Sequence, residues 1–310
     1  MGTLEVIASL PEVRARRFDV RVLAAFFAIY FLWGATFLAI RVAVLEIPPF
    51  FTAGLRFFTA GAFLYLVMRF RGERAPSAVQ WRGIAVIAVC MFVVTYGALF
   101  WAEQFVPSGI TAVIEATLPL IAMILEVFIF RTQQFHWRML AAVALGLGGI
   151  ALLLLKNGQS FGVFPCLVIL AGSIAWTLGA VLTRSMPLPK SVPLAAGAEM
   201  MLGGAVLLVL ALVTGEMHPF PHIPLRAAVA LLYLIVGGSL VGFTAYVWLL
   251  ARMPATRVAS HAYVNPLVAV ALGYFVAGEE ITPRMLFAAV LVVASVFLIL
   301  KRSSVTDSSN

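Results

Sequence analysis

Few residues in this chain could do chemistry, and most of those lie inside long apolar runs. Glu115 stands about seven residues into the run 109–130, roughly 10 Å deep at 1.5 Å of rise per residue. A charge at that depth costs about 3 kcal/mol unless it is solvated, paired or neutralised. Glu115 is therefore a proton-coupling candidate, and a neutral Glu bonded to a neighbouring helix is the alternative. Pro119 and Pro266 also fall within apolar runs, where each lacks an N–H and frees the carbonyl four residues earlier, on Glu115 and Ala262. They are read as helix kinks beside a cavity, with ordinary membrane-helix kinks as the alternative. His261 and Asn265 lie one helical turn apart, directly before Pro266. That polar patch either meets substrate and water or bonds to a neighbouring helix.

Aromatic residues supply the remaining candidates. Trp33, Phe37 and Arg41 recur at intervals of four, as do Trp176, Ala180 and Arg184, so each set forms one stripe along a helix. Tyr96, Trp101, Tyr246 and Trp248 add aromatic surface suited to apolar solutes. The expected substrate-binding residues are Trp33, Phe37, Tyr96, Trp101, Leu118, Trp176, Tyr246, His261 and Asn265; packing alone accounts for any one of them equally well. Arg56 and Glu199 are intramembrane charges, for which snorkelling or pairing near a gate stands beside substrate binding.

The same inventory argues against catalysis. His136, His218, His222 and His261 are scattered, and Pro219 and Pro221 oppose a helix that would bring His218 and His222 together. No nucleophile with a positioned base is readable, and Cys90 and Cys166, both in apolar runs, are read as small filler. The chain is expected not to be an enzyme and to need neither metal nor cofactor.

The elements that must position these residues are membrane spans. Hydrophobic residues make up 63% of the chain and charged ones 11%, with a mean hydropathy of +1.06, against about 25% charged in a soluble domain. Apolar runs recur near 22–45, 50–69, 82–101, 109–130, 137–155, 163–183, 193–214, 226–250, 255–277 and 284–300, each about the length of one span. Leu153, in the fifth run, is expected to face lipid. With the N-terminus inside, Arg41, Lys156, Arg226 and Arg284 are the basic residues at outside ends and Arg56 lies within a span; the rest of the 21 fall on inside segments. That bias places both termini in the cytoplasm, and it explains the net charge of +8 without a nucleic-acid partner.

The two halves repeat. Trp33–Arg41 (WGATFLAIR) and Trp176–Arg184 (WTLGAVLTR) lie 143 residues apart, and at that offset Gly54 meets Gly197 and Gly61 meets Gly204. At an offset of 147, Trp101 meets Trp248, Pro107 meets Pro254 and Pro119 meets Pro266. Five spans per copy is an odd number, so the second copy enters the membrane from the opposite side. Inverted repeats are the usual construction of alternating-access carriers.

These residues resemble the drug/metabolite transporter superfamily, in particular its ten-helix EamA-type exporters, over nearly the whole chain. The resemblance runs from WGATFLAIR to the Gly278-Glu279-Glu280-Ile281-Thr282 element after VNPLVAVALGYFVA. The first copy departs from it, with Arg131-Thr132-Gln133 where Gly-Glu would stand. Within the family, Tyr96, Trp176 and the Pro119 helix look most like YddG-type exporters of aromatic and other amino acids. The resemblance implies outward movement of small organic solutes, often amino acids, with no ATP-binding module.

The expected protein is thus an all-α integral membrane protein of about ten transmembrane helices in two inverted five-helix repeats, 22–156 and 157–302, with cytoplasmic ends 1–21 and 303–310. Its expected function is secondary export of small organic solutes, amino acids including aromatic ones, from a bacterial inner membrane, with proton coupling as an option. The lipid bilayer and a small solute are its partners. A carrier of phosphorylated or nucleotide sugars is one alternative, and an integral-membrane enzyme acting on lipid-like substrates is the other.

Overall fold

The structure is a computed structural model that describes residues 20–306 apart from 132–134, 136, 155–161, 184, 251, 253–257 and 259. The end segments 1–21 and 303–310 (save Val20, Arg21 and 303–306), His136, Arg184 and Pro254 lie outside the described residues. Among the described residues, ten helical rods follow one another: α1 (Val20–Val44), α2 (Pro49–Phe70), α3 (Ala78–Ala102), α4 (Ser108–Ile129), α5 (Trp137–Leu154), α6 (Val163–Leu182), α7 (Val192–Val213), α8 (Leu225–Leu249), α9 (His261–Ala277) and α10 (Pro283–Thr306). Seven are long and apolar enough to cross a membrane, and the other three, α5, α9 and α10, contain shorter apolar helices of 10–17 residues.

The ends of the rods follow from local chemistry. A capping box opens α3, where the Ser77 side chain accepts from Gln80 N–H while the Gln80 side chain accepts from Ser77 N–H. Pro49 and Pro193 occupy first-turn positions of α2 and α7, where no N–H is required. Both of these helices then stop at a glycine with positive φ, Gly72 at +90° and Gly215 at +82°. Glu73 N–H bonds the Met68 carbonyl and Glu216 N–H bonds the Ala211 carbonyl, so the two caps superimpose under the 143-residue offset.

The most extensive helix pairing is α2 with α7, followed by α1 with α8 and α5 with α10. Along the first seam, a Cβ added at Gly54 would stand 2.8 Å from Leu208 N, and one at Gly197 would stand 2.7 Å from Tyr65 N. Adding 143 to Gly54 and Tyr65 gives Gly197 and Leu208, so the two contacts exchange. At Gly61 and Gly204 the added atom would run into the backbone nitrogens of Met201 and Phe58, and the same offset exchanges these contacts as well. Contacts that swap in this way require antiparallel partners related by a pseudo-two-fold axis, which is the inverted repeat itself. Small residues permit this approach, and close backbone packing is what binds helices in lipid, where burial from water contributes little.

The α5–α10 seam corrects one expectation. Leu153 is 0% exposed and packs in the central core beside residues of α10 such as Val292. The α5 helix is apolar on every side, so its sequence pattern does not distinguish the protein-facing face from the lipid-facing one.

A β-branched side chain at the α2–α7 crossing should split the seam. Gly61→Val is expected to destabilise the purified protein in detergent by about 1–3 kcal/mol, read as a lower midpoint in a thermal melt. Gly148→Ala, where the added Cβ meets nothing within 4 Å, should leave the midpoint unchanged.

Candidate functional site

The site is built around Arg56. Its place in the first half of α2, between Gly54 and Gly61, is fixed by the glycine seam, and it is 3% exposed. Arg56 Nε donates to Ser239 Oγ at 3.0 Å, and a Cβ on Gly238 would approach Arg56 Nη2 to 3.0 Å. Gly238 and Ser239 belong to the π-helical stretch Leu234–Val241 of α8. Arg56 Nη1 is buried with no hydrogen-bond partner. Leaving a buried donor unpaired costs about 1–3 kcal/mol, so this arrangement is strained by its own polarity.

One aromatic group lies against the guanidinium and a second is joined to it through Gly238. In the second, Trp33 Nε1 donates to the Gly238 carbonyl at 3.0 Å. The Trp33 ring lies 5.2 Å from Tyr246 and 5.1 Å from His261, and Tyr246 stacks on His261 at 5.9 Å. In the first, Arg56 Cζ is 5.4 Å from the Tyr96 ring centre and 4.6 Å from that of Phe57, within range of a cation–π attraction. Tyr96 meets Trp176 edge-on at 5.9 Å. One turn from Trp176 on α6, the Ser173 hydroxyl donates to Glu115 Oε1 at 2.7 Å. Glu115 ends the first half of α4, which breaks at Ala116–Thr117 and restarts at Leu118 with Pro119 in its first turn.

The structure thus brings Trp33, Tyr246 and His261 together, and Tyr96, Trp176, Ser173 and Glu115 together; Arg56 contacts Tyr96 of the second set and Gly238, to which Trp33 of the first set is bonded. Leu118 and Phe37 are partly exposed on α4 and α1. Trp101 stands apart, against Phe105 and the exposed Phe164. Asn265, with its amide nitrogen turned toward them, faces the carbonyls of Ile29, Tyr30 and His261, each at 3.1 Å. Two of those carbonyls lie in the π turn Ala28–Leu32 of α1, where the usual i→i−4 bond is interrupted. Pro266 lies inside α9, which runs on through it without a break. The two prolines that match at the 147-residue offset therefore differ: one follows a helix break and the other does not.

Sequence reasoning missed three features. Ser173 is a small polar residue three positions before Trp176, and only the fold shows that it reaches Glu115. Arg56 was legible as a charge inside a span, but its partners lie 183 residues away. The third is the role of the Gly-Glu element. Glu279 accepts from Ser108 N–H at 2.8 Å, Ser108 Oγ at 2.8 Å and Gly109 N–H at 3.2 Å, and so caps α4 with a negative charge. Beside it, Glu103 is 0% exposed with neither carboxylate oxygen partnered, while Arg41 Nη1 donates to the Glu103 backbone carbonyl. Burial, and then the Glu279 carboxylate, push the Glu103 carboxyl well above the usual carboxylate range, against the opposing pull of Arg41. Among the described residues, no three His, Cys, Asp or Glu side chains are grouped to hold a metal ion.

Ten apolar rods in two inverted halves, with a polar and aromatic patch where the halves meet, define the class: a multi-pass helical membrane protein built as carriers are built. Family comparison identifies it further. The EamA-like transporter family matches the chain twice, over residues 21–155 and 163–301, and the chain belongs to that family. It is 35% identical over 278 residues to a protein of Escherichia coli (strain K12) named "Uncharacterized inner membrane transporter YedA", covering 89% of each chain. It is 27% identical over 277 residues to a Streptantibioticus cattleyicolor protein named "Probable terminal-alkyne amino-acid exporter", covering 87% of this chain and 90% of that one. A solved crystal structure shares the fold with a TM-score of 0.61 at 18% identity, over 90% of this chain and 96% of the other.

Removing the Glu279 cap should loosen the start of α4. Glu279→Ala is expected to cost about 1–2 kcal/mol, whereas Glu279→Gln, whose amide oxygen still accepts, should cost less. Thermal melts of the two variants, together with amide hydrogen exchange over residues 108–111, check this.

Proposed function

We propose that this transporter exports small organic solutes, amino acids with aromatic or other apolar side chains among them, by alternating access between the halves 22–156 and 157–302. The single observation that carries this reading is the pairing of two aromatic walls across the repeat interface, Trp33 with Tyr246 and Tyr96 with Trp176. Rings of this kind contribute apolar area together with polar edges. The name of the Streptantibioticus relative, an amino-acid exporter, agrees with that substrate class. The break in α4 beside Leu118 and the unpartnered Nδ1 of His261 supply hydrogen-bonding groups such a site needs, while the Asn265 amide is held by backbone carbonyls. The positive-inside bias of the loops supports both termini lying in the cytoplasm, and the name of the Escherichia coli relative agrees with an inner-membrane location.

Glu115 carries the coupling proton in this reading. It stands in the broken part of α4 with one hydroxyl donor, Ser173, on its carboxyl group. Gain or loss of a proton there changes whether Ser173 must donate or can accept, and so links charge to the contact between α4 and α6.

Transport assays in proteoliposomes test both parts. Trp176→Ala and Tyr96→Ala are expected to lower phenylalanine and tryptophan flux about tenfold at unchanged protein abundance, whereas Phe275→Ala, at a position 81% exposed on α9, should not. Parental rates in both wall variants would remove the site from this place. Glu115→Gln is expected to transport with a flat pH profile, and an unchanged profile would take the coupling role away from Glu115.

A further inference from the structure

We propose that Arg56 is the receptor for a substrate carboxylate, which makes the transported solute a monocarboxylate with an apolar or aromatic body. The inference rests on the placement of the site given above and deepens it, since nothing there assigns Arg56 a ligand.

The argument begins with what the guanidinium lacks. Arginine stays ionised at any physiological pH and offers five N–H donors in a planar fork. Only Nε is spent, on Ser239 Oγ. Nη1 points into the protein with no acceptor, on a side chain that is 3% exposed. A structural arginine at such depth is normally paired with a carboxylate or fully bonded to carbonyls, because an uncompensated buried charge is strongly destabilising. The carboxylate on the facing helix, Glu199, does not hydrogen-bond it, since the one side-chain bond of Arg56 goes to Ser239. The buried Glu103 carboxylate attracts it through space without a hydrogen bond, and the ring faces nearby are those of Phe57, Tyr96 and Phe100 at 4.6, 5.4 and 6.0 Å. They stabilise a cation partially and accept no strong hydrogen bond. An arriving anion completes the set.

The surroundings also select which anion. A single guanidinium supplies one positive charge, which matches a carboxylate; a phosphate monoester carries close to two charges at neutral pH and calls for a second cation. Gly238 packs closely on this end of the fork, since a Cβ there would come within 3.0 Å of Nη2 and 3.2 Å of Thr36 Oγ1, so glycine is what keeps a side chain off Nη2. A carboxylate seated there places the body of its molecule between the Trp33–Tyr246 and Tyr96–Trp176 walls.

Binding to the purified full-length protein, followed by intrinsic tryptophan fluorescence, tests this with phenylalanine, 3-phenylpropionate, phenylalaninamide and phenyl phosphate. The two carboxylates are expected to bind about tenfold or more tightly than the amide and the phosphate. Arg56→Gln and Arg56→Lys should each erase that preference, the lysine variant because a point charge does not replace the planar fork. Equal affinity for acid and amide, including no binding of any carboxylate, would overturn the proposal. So would tighter binding of phenyl phosphate, or a carboxylate preference that survives in Arg56→Gln. These measurements on the unsubstituted protein decide the matter even if both variants fold poorly. Binding of 3-phenylpropionate without phenylalanine would keep Arg56 in this role and remove the amino-acid reading. Phenylalanine transport with no preference for acid over amide would do the reverse.

Discussion

Everything in this molecule depends on how closely α2 and α7 approach. At Gly61 and Gly204 the two backbones leave no room for a side chain, and in lipid that contact replaces the burial from water that holds soluble proteins together. The crossing fixes the pseudo-two-fold axis, and with it the position of Arg56 on one helix and Glu199 on the other. It also explains why the helix ends match so closely. Gly72 and Gly215 close both helices with the same left-handed cap, and the carboxylate oxygens of the Glu216 that follows accept from Phe50 and Phe51 N–H at the start of α2. The two halves thus clasp each other at this end as well as along the seam.

A second constraint shapes the centre. No backbone group inside a bilayer can look to water, so irregular helix is tolerated only where protein groups satisfy what it frees. The π turns of α3 and α8, Val89–Val94 and Leu234–Val241, overlap under the 147-residue offset, and each stands next to the candidate site. In α3, Thr95 Oγ1 reaches the Cys90 carbonyl; in α1, Thr36 and Tyr233 both donate to the Leu32 carbonyl at 2.8 Å. Polar side chains that look like substrate contacts therefore also serve the backbone. Irregular helix concentrates around Arg56 and the aromatic walls, where a carrier needs surfaces that can rearrange, while the α2–α7 and α5–α10 seams stay regular.

Much of this was legible in the sequence. The number of spans, the two copies, their inversion and the family all follow from run lengths, from the spacing of Trp33 and Arg41 against Trp176 and Arg184, and from loop charge. What was not legible has physical reasons. A π turn leaves no periodic signature in an apolar run, because every position is apolar whichever way it faces. For the same reason Leu153 could not be assigned to the core or to lipid. Pro119 and Pro266 look equivalent by offset, yet whether a proline breaks a helix depends on what its neighbours can bond, and only the fold supplies those neighbours. Arg56 announced itself as a costly charge, but its surroundings come from α2, α3 and α8, which are distant in sequence. Trp101, by contrast, shares the spacing pattern of its repeat partner and still packs with Phe105 and Phe164, away from Arg56.

The central claim is that two inverted halves expose one site alternately to the two membrane faces. Glu46 and Glu280 lie in loops at one end of the rods, and Glu73 and Ser185 lie in loops at the other, all four exposed. Spin labels at these positions, measured pairwise by pulsed dipolar spectroscopy in lipid with and without phenylalanine, report both ends of the molecule. Alternating access predicts that substrate shifts the Glu46–Glu280 and Glu73–Ser185 distance distributions in opposite senses, one shortening as the other lengthens. Distributions that stay fixed, or that shorten or lengthen together, would contradict it.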